Sequence, residues 1–471
     1  MWKIIFTLIL LLIVLMNSKA GDKTDNIQNN LDSFMNKCAE IDLFSGTVLA
    51  AVNGNVIFEK SYGYSDRENN ILNSSDTKYN IGSIGKLFTA VLILQLAQEN
   101  RLSLDDNIGK YLSLFNQDVS QNVSISNLLK HNSGFGDYIN NPDFMQNREK
   151  YRENSDLLNL ISREQLLFPP GQEFSYSNSG YVILGAVVEM VSGKSYTENL
   201  NERILKPLEM NSSGFLYIED TDPLKSVGYI KNIKGIPSDN NRFAVQPSPA
   251  GGMYSTAGDL LKFDLSLMND NNLLSDKFKI ILINGFDELK DISFAEFKSK
   301  CGNAYAGGAP GINAVYVQYP SENFTVIILS NYDFAAEAIE GQITNIMKGN
   351  DFEMPMLPLG QFLYDTLQTR GQEYFTTNLN KIIKENGYKI QGDRLLNNIG
   401  YQFLQNNLIQ AAIDIFTLNA GLFPETANCY DSLGEAYLIS GNKDEAVKNY
   451  KIVLSLEPEN ENAKKVIEKI K

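Results

Sequence analysis

Tyr79-Asn80-Ile81-Gly82-Ser83-Ile84-Gly85-Lys86-Leu87-Phe88-Thr89-Ala90-Val91 is the run from which the rest of this chain is read. Ser83 and Lys86 stand three residues apart, where a loop gives way to an apolar, helix-like stretch. Positions i and i+3 share a helix face, so a hydroxyl and an amine are held side by side at a helix N-terminus. A serine hydroxyl titrates far above neutrality and becomes a nucleophile only with a base in hydrogen-bond reach. Lysine can be that base when burial, or positive charge such as the helix dipole's N-terminal end, lowers its pKa. Taken alone, the pair reads equally well as a serine N-cap followed by a solvated lysine. The predicted helix turns Leu87, Val91, Leu94 and Leu96 inward.

Two distant segments add chemistry to the pair. In Pro169-Pro170-Gly171-Gln172-Glu173-Phe174-Ser175-Tyr176-Ser177-Asn178-Ser179-Gly180-Tyr181, Tyr176 and Asn178 are two apart. In an extended stretch they point the same way and Ser177 turns aside. A phenol beside Ser83 and Lys86 can pass a proton to a leaving group, and a carboxamide can hold a substrate amide or orient the lysine. In Tyr305-Ala306-Gly307-Gly308-Ala309-Pro310-Gly311-Ile312-Asn313, glycines allow close backbone approach just before a strand. A backbone N–H there can join that of Ser83 as an oxyanion hole.

His131 is the single histidine, and no G-x-S-x-G elbow is present, so it is expected to be structural rather than a triad base. With one histidine and Cys38, Cys301 and Cys429 far apart, no disulfide framework or metal-ligand spacing appears, and neither a metal nor a cofactor is expected.

Gly46 to Val52 and Val56 to Gly63 alternate around Asn53-Gly54-Asn55, a strong hairpin signal. Ala314 to Tyr319 and Phe324 to Leu329 form a second strand pair near the other end of the domain. Strands at both ends with helices between predict an α+β domain, one antiparallel sheet closed by its termini.

Past about residue 345 helical patterns dominate. Leu396, Ile399, Gly400, Phe403, Ala412, Phe416 and Pro424 recur as Tyr430, Leu433, Gly434, Tyr437, Ala446, Tyr450 and Pro458, each offset by 34 residues. That is the tetratricopeptide period. Gln361 to Tyr388 is expected to add a helical layer, and Asn462 to Lys471 a polar cap. The tail reads either as a buttress for the first domain or as a platform for a protein partner.

The 471 residues are 43% hydrophobic and carry a formal charge of −15, which argues against nucleic acid or anionic lipid as the main partner. Lys3, the apolar run Ile4 to Met16 and Ser18-Lys19-Ala20 read as a secretory signal over 1–20. The run is shorter than the ~20 residues of a spanning helix. A secreted or periplasmic protein is expected, with an uncleaved N-terminal anchor as the alternative.

Taken together, these segments resemble serine hydrolases of the class C β-lactamase and D-alanyl-D-alanine carboxypeptidase superfamily. Ser83-Ile84-Gly85-Lys86 is similar to its S-x-x-K, and Tyr176-Ser177-Asn178 to its Y-x-N. Leu128-Leu129-Lys130-His131-Asn132-Ser133-Gly134 and Gly251-Gly252-Met253-Tyr254-Ser255-Thr256-Ala257-Gly258-Asp259-Leu260 resemble two further motifs. The resemblance implies a penicillin-binding-protein-like fold, antiparallel sheet with a mostly helical subdomain, for the domain over 21–345; the residue patterns place a connector over 346–394 and the repeats over 395–471. It implies Ser83, Lys86 and Tyr176 as catalytic residues, with Asn178, Tyr305 and Gly307 binding substrate. The oxyanion hole would be the N–H groups of Ser83 and Gly308.

One departure stands out. The family's third motif begins with lysine or histidine where this chain has Tyr305, which brings no charge. The expectation is therefore hydrolysis of an ester, a neutral amide or a cell-wall peptide through an acyl-enzyme. The alternative is a weakly active or non-catalytic module that captures a cell-wall peptide or β-lactam while its tail binds a protein. A cation introduced at 305 is expected to improve carboxylate substrates.

Overall fold

The computed structural model describes residues 24–289 and 292–470. The signal segment expected over 1–20 lies outside the described residues. The chain divides into two units: the first ends at Pro355, and the second comprises Lys231–Ser238 with Met356–Lys471.

The first unit is built on a five-stranded antiparallel sheet. In chain order its strands are β1 (Gly46–Val52), β2 (Asn55–Tyr62), β3 (Asn303–Ala309), β4 (Ile312–Tyr319) and β5 (Phe324–Ser330). Their spatial order is β2-β1-β5-β4-β3, so the first strand pairs with the last, Val48 opposite Ile328. Asn53 and Gly54 both take positive φ, 51° and 77°, the geometry a two-residue hairpin turn demands.

β1 does not show the expected alternation of burial, because Gly46 to Ala51 are all buried. The sheet is covered on both faces. Leu49, Tyr316, Ile327 and Leu329 face a large helical core. Val48, Val315, Val326 and Ile328 face a second core with helix α1 (24–40) and a helix near the end of this unit. A central strand packed on both sides reads as continuous apolar sequence. Each large aliphatic side chain so buried contributes about 1.5–3 kcal/mol.

Four more principal helices follow in this unit: α2 (Gly85–Gln98), α3 (Asn178–Ser192), α4 (Ala257–Asn269) and α5 (Ala335–Lys348), the last packing with α1. The expected single apolar face of α2 is corrected by the structure. Every residue from Gly85 to Leu96 is buried. A helix apolar all round is an interior helix, and Phe88 stacks on Phe263 of α4 at 4.3 Å. Of the three polar residues in that buried run, Thr89 and Gln95 bond to Pro249 O and Leu273 O, and Lys86 faces the site described below.

The second unit is helical: α6 (Leu359–Arg370), α7 (Gln372–Glu385), α8 (Asp393–Gln405), α9 (Ile409–Leu422), α10 (Ala427–Ile439), α11 (Lys443–Leu456) and α12 (Glu461–Ile470). Residues 34 apart play matching parts in it. A Cβ on Gly400 would lie 2.4 Å from the Phe416 ring, and one on Gly434 would lie 2.9 Å from the Tyr450 ring. Glycine thus lets α8 close on α9 and α10 close on α11. Ile233 joins the core of this unit with Leu363, Leu396 and Phe403.

Candidate active site

Ser83 sits in a 3-10 turn, Gly82–Ile84, that runs straight into α2. Three hydrogen bonds, one from a side chain, seat this turn. Asn80 Oδ1 accepts from Gly82 N at 2.9 Å, Met253 O accepts from Ile81 N at 2.9 Å, and Gly82 O accepts from Gly252 N at 3.3 Å. Gly82 takes φ +52°, and a Cβ there would lie 2.7 Å from Gly308 N. The Ser83 turn is thereby pressed between the 251–254 segment and β3.

Lys86, one turn into α2, is 6% exposed. Its Nζ lies 3.1 Å from Ser83 Oγ, 2.6 Å from Asn178 Oδ1 and 2.5 Å from Ala250 O. The rings of Tyr176 and Tyr181 stand 4.9 and 5.6 Å away. Burial pulls the lysine pKa down to about 7, while the Asp137 carboxylate works against that fall. The residue is therefore partly neutral near pH 7, chiefly because it is buried.

Tyr176 donates to Ser83 Oγ at 2.8 Å, completing a triangle with Lys86. Burial raises its phenol above the ordinary value, so it carries its proton at neutral pH. Ser177, turned aside as expected, donates to Gly136 O and caps α3 by accepting from Gly180 N. Asn178 is the first residue of α3, and its Oδ1 accepts from Lys86 Nζ.

His131 supports this arrangement from behind. Its ring stacks on Tyr176 at 4.5 Å, its Nδ1 accepts from Ser177 N at 3.1 Å, and its carbonyl accepts from Ser175 N at 2.8 Å. Burial, helped by Lys86, lowers its pKa to about 4, so it is a neutral brace near pH 7. The 251–260 motif also works by positioning. Thr256 caps α4, and the buried Asp259 carboxylate accepts from Ser212 N, Ser213 Oγ and Lys262 Nζ.

The third motif differs from its expected placement. Tyr305, Gly307 and Gly308 lie within β3 itself, an edge strand paired with β4, rather than just before a strand. A Cβ on Gly307 would fall 2.0 Å from Ile81 O and 2.8 Å from Ser83 N, so β3 lies directly on the Ser83 turn. Gly308 lines the cleft with Ser83. Tyr305 and Gly307 are the expected substrate-binding residues of this strand; Gly307 packs on the Ser83 turn. Tyr305 stacks on Tyr316, 5.6 Å between centroids, and burial raises its phenol pKa. Gly307 is a packing seat.

The cleft encloses about 730 Å³. Ser83, Asn178, Tyr254 and Gly308 mark its reacting end, and Leu216, Ile218 and Val245 supply apolar wall. The arrangement offers a serine hydroxyl, a partly neutral amine, a protonated phenol and an adjacent strand backbone. Those are the parts needed to transfer an acyl group to serine.

Asp137 and the Ala250 carbonyl were missed by sequence reasoning. Asp137 Oδ2 accepts from Asn178 Nδ2 at 2.6 Å. An acid in Gly136-Asp137-Tyr138 has no diagnostic spacing to Lys86, and a main-chain carbonyl leaves no mark in the residue types.

The family model described as Beta-lactamase matches residues 28–347. Protein flp of Staphylococcus aureus (strain N315) is 26% identical over 364 residues, 71% of this chain and 70% of that protein. Penicillin-binding protein 4* of Bacillus subtilis (strain 168) is 26% identical over 370 residues, 71% of this chain and 79% of that protein. The crystal structure of a penicillin-binding protein from Bacillus halodurans superposes with a TM-score of 0.59 at 27% identity, covering 66% of this chain and 99% of that one. With the family model matched across nearly the whole first unit, the chain belongs to the beta-lactamase family of serine hydrolases.

Proposed function

We propose that this protein is an exported serine hydrolase that cleaves an ester or amide through an acyl-enzyme on Ser83. The observation that carries the reading is the triangle of Ser83 Oγ with Lys86 Nζ at 3.1 Å and Tyr176 Oη at 2.8 Å. Ser83 Oγ attacks the carbonyl carbon while its proton passes to neutral Lys86. Tyr176 gives its proton to the leaving group and recovers one from Lys86. Negative charge on the carbonyl oxygen is met by the N–H groups of Ser83 and Gly308, at the positive end of α2. Water then attacks the acyl carbon and frees Ser83.

Export is supported by Lys3, the apolar run Ile4 to Met16 and Ser18-Lys19-Ala20. Substrates with the chemistry of cell-wall peptides or small esters suit such a site. The 34-residue recurrence and the matched Gly400–Phe416 and Gly434–Tyr450 contacts support a tail of tetratricopeptide type, offered as a surface for a protein partner.

A fluorescent fluorophosphonate and a penicillin probe test the central reading, beside p-nitrophenyl esters, nitrocefin and D-amino-acid amides as substrates. Wild type should be labelled and Ser83→Ala spared. Labelling that persists in Ser83→Ala, or wild type left unlabelled by every acyl probe, defeats it.

A further inference from the structure

We infer that Asp137 is a positioning residue for this chemistry: its carboxylate locks the Asn178 amide so that the amide oxygen, not the NH2 group, faces Lys86. The inference rests on the acyl-enzyme reading of Ser83 and Lys86. Asp137 is itself held at both oxygens. Oδ2 accepts from Asn178 Nδ2 at 2.6 Å, and Oδ1 accepts from Ile139 N at 3.1 Å, capping the turn Tyr138–Asn140.

The consequence follows from counting hydrogens on an amine. Neutral Lys86 has two N–H bonds and one lone pair. Asn178 Oδ1 at 2.6 Å and Ala250 O at 2.5 Å can each accept one hydrogen. The remaining direction is that of Ser83 Oγ at 3.1 Å, so the lone pair is aimed at the serine proton. When Ser83 attacks, its O–H bond breaks, its oxygen bonds the carbonyl carbon, and the proton forms the third N–H bond of Lys86.

If the Asn178 amide turned over, its Nδ2 would face Lys86. Against an ammonium the contact is repulsive. Against a neutral amine, Nδ2 would donate into the lone pair and occupy the base. Asp137 prevents the turn, because the turned amide would set Asn178 Oδ1 against the carboxylate.

Asp137 also favours the protonated form of Lys86. The other groups facing Lys86 are the rings of Tyr176 and Tyr181, and His131, which is neutral near pH 7. The 250 segment contributes a carbonyl. Asp137 is thus the anionic influence on Lys86.

The test is Asp137→Asn, nearly isosteric but free to let the amide turn, beside Asp137→Glu, which keeps the charge. Acylation of a chromogenic ester by Asp137→Asn should fall at least about tenfold at alkaline plateau while apparent KM changes less than about threefold. Its acidic limb should move to lower pH by about one unit, and Asp137→Glu should keep the limb in place. Independently of turnover, the 13Cε resonance of Lys86 in a Ser83→Ala background should titrate at lower pH when Asp137→Asn is added. An unmoved Lys86 titration, or a wild-type rate and limb in Asp137→Asn, overturns the inference. Absence of Ser83-dependent labelling in wild type defeats the acyl-enzyme reading instead, and the Lys86 titration then still decides the part assigned to Asp137.

Discussion

Lys86 Nζ and Asn178 Oδ1 lie 2.6 Å apart although 92 residues separate them in the chain. Each belongs to the first turn of a largely buried helix, α2 and α3, so the contact joins two rigid elements rather than two loops. Ser83, in the turn before α2, and Tyr176, just before α3, are carried by the same two helix starts. Precision at the site therefore comes from helix packing in the core, which side chains on rigid elements preserve better than loops do.

The pH dependence of acylation should report Lys86. Its folded pKa is about 7, and only the neutral amine can take the Ser83 proton. The second-order rate of labelling should rise with pH through an inflection near that value. His131, titrating near 4, should add no inflection above about pH 5. Lys86→Arg keeps a permanent cation and should lose at least about a hundredfold in rate at every pH.

The same lysine should leave a signature in stability. Burial lowers its pKa from 10.5 to about 7 on folding. Between those values the unfolded chain binds more protons than the folded one, so wild type gains stability as pH rises through that window. Lys86→Met lacks the titration. Urea midpoints at about pH 7 and about pH 10 should show wild type gaining a few kcal/mol relative to Lys86→Met. A gap that stays constant would mean that Lys86 does not titrate with so low a pKa.

Neighbouring glycines on β3 should respond in opposite ways. Gly307→Ala places a methyl group 2.0 Å from Ile81 O, so β3 must move off the Ser83 turn. Loss of about 1–3 kcal/mol and a sharp fall in acylation are expected. Gly308→Ala meets nothing closer than 3.5 Å and should fold with wild-type stability. Thermal melts and probe labelling of both variants measure the contrast.

Tyr305→Lys should not create a carboxylate-binding site. Position 305 stacks on Tyr316 and packs against the large core, so the new ammonium would enter a packed region. Stability should drop, and kcat/KM for carboxylate-bearing substrates should not rise relative to neutral esters. A selective gain for carboxylates would show that residue 305 does reach bound substrate.

The sequence by itself determined the hairpin at Asn53-Gly54, the pairing of the domain's terminal strands, the S-x-x-K at the start of α2, the Y-x-N before α3 and the 34-residue recurrence of the tail. Apart from the strand pairing, which joins segments far apart in the chain, these are patterns read along the chain itself: turn chemistry, helical spacing and repeat period. Tertiary structure decided what those residues become. It buried α2 on every side, which makes Lys86 a partly neutral amine rather than a solvated charge. It brought in the Ala250 carbonyl from 164 residues away, and it set Asp137 against Asn178. It stacked Tyr305 on Tyr316 of the neighbouring strand. Desolvation and the aim of a lone pair depend on what surrounds a side chain in space, and those surroundings come from segments far away in sequence.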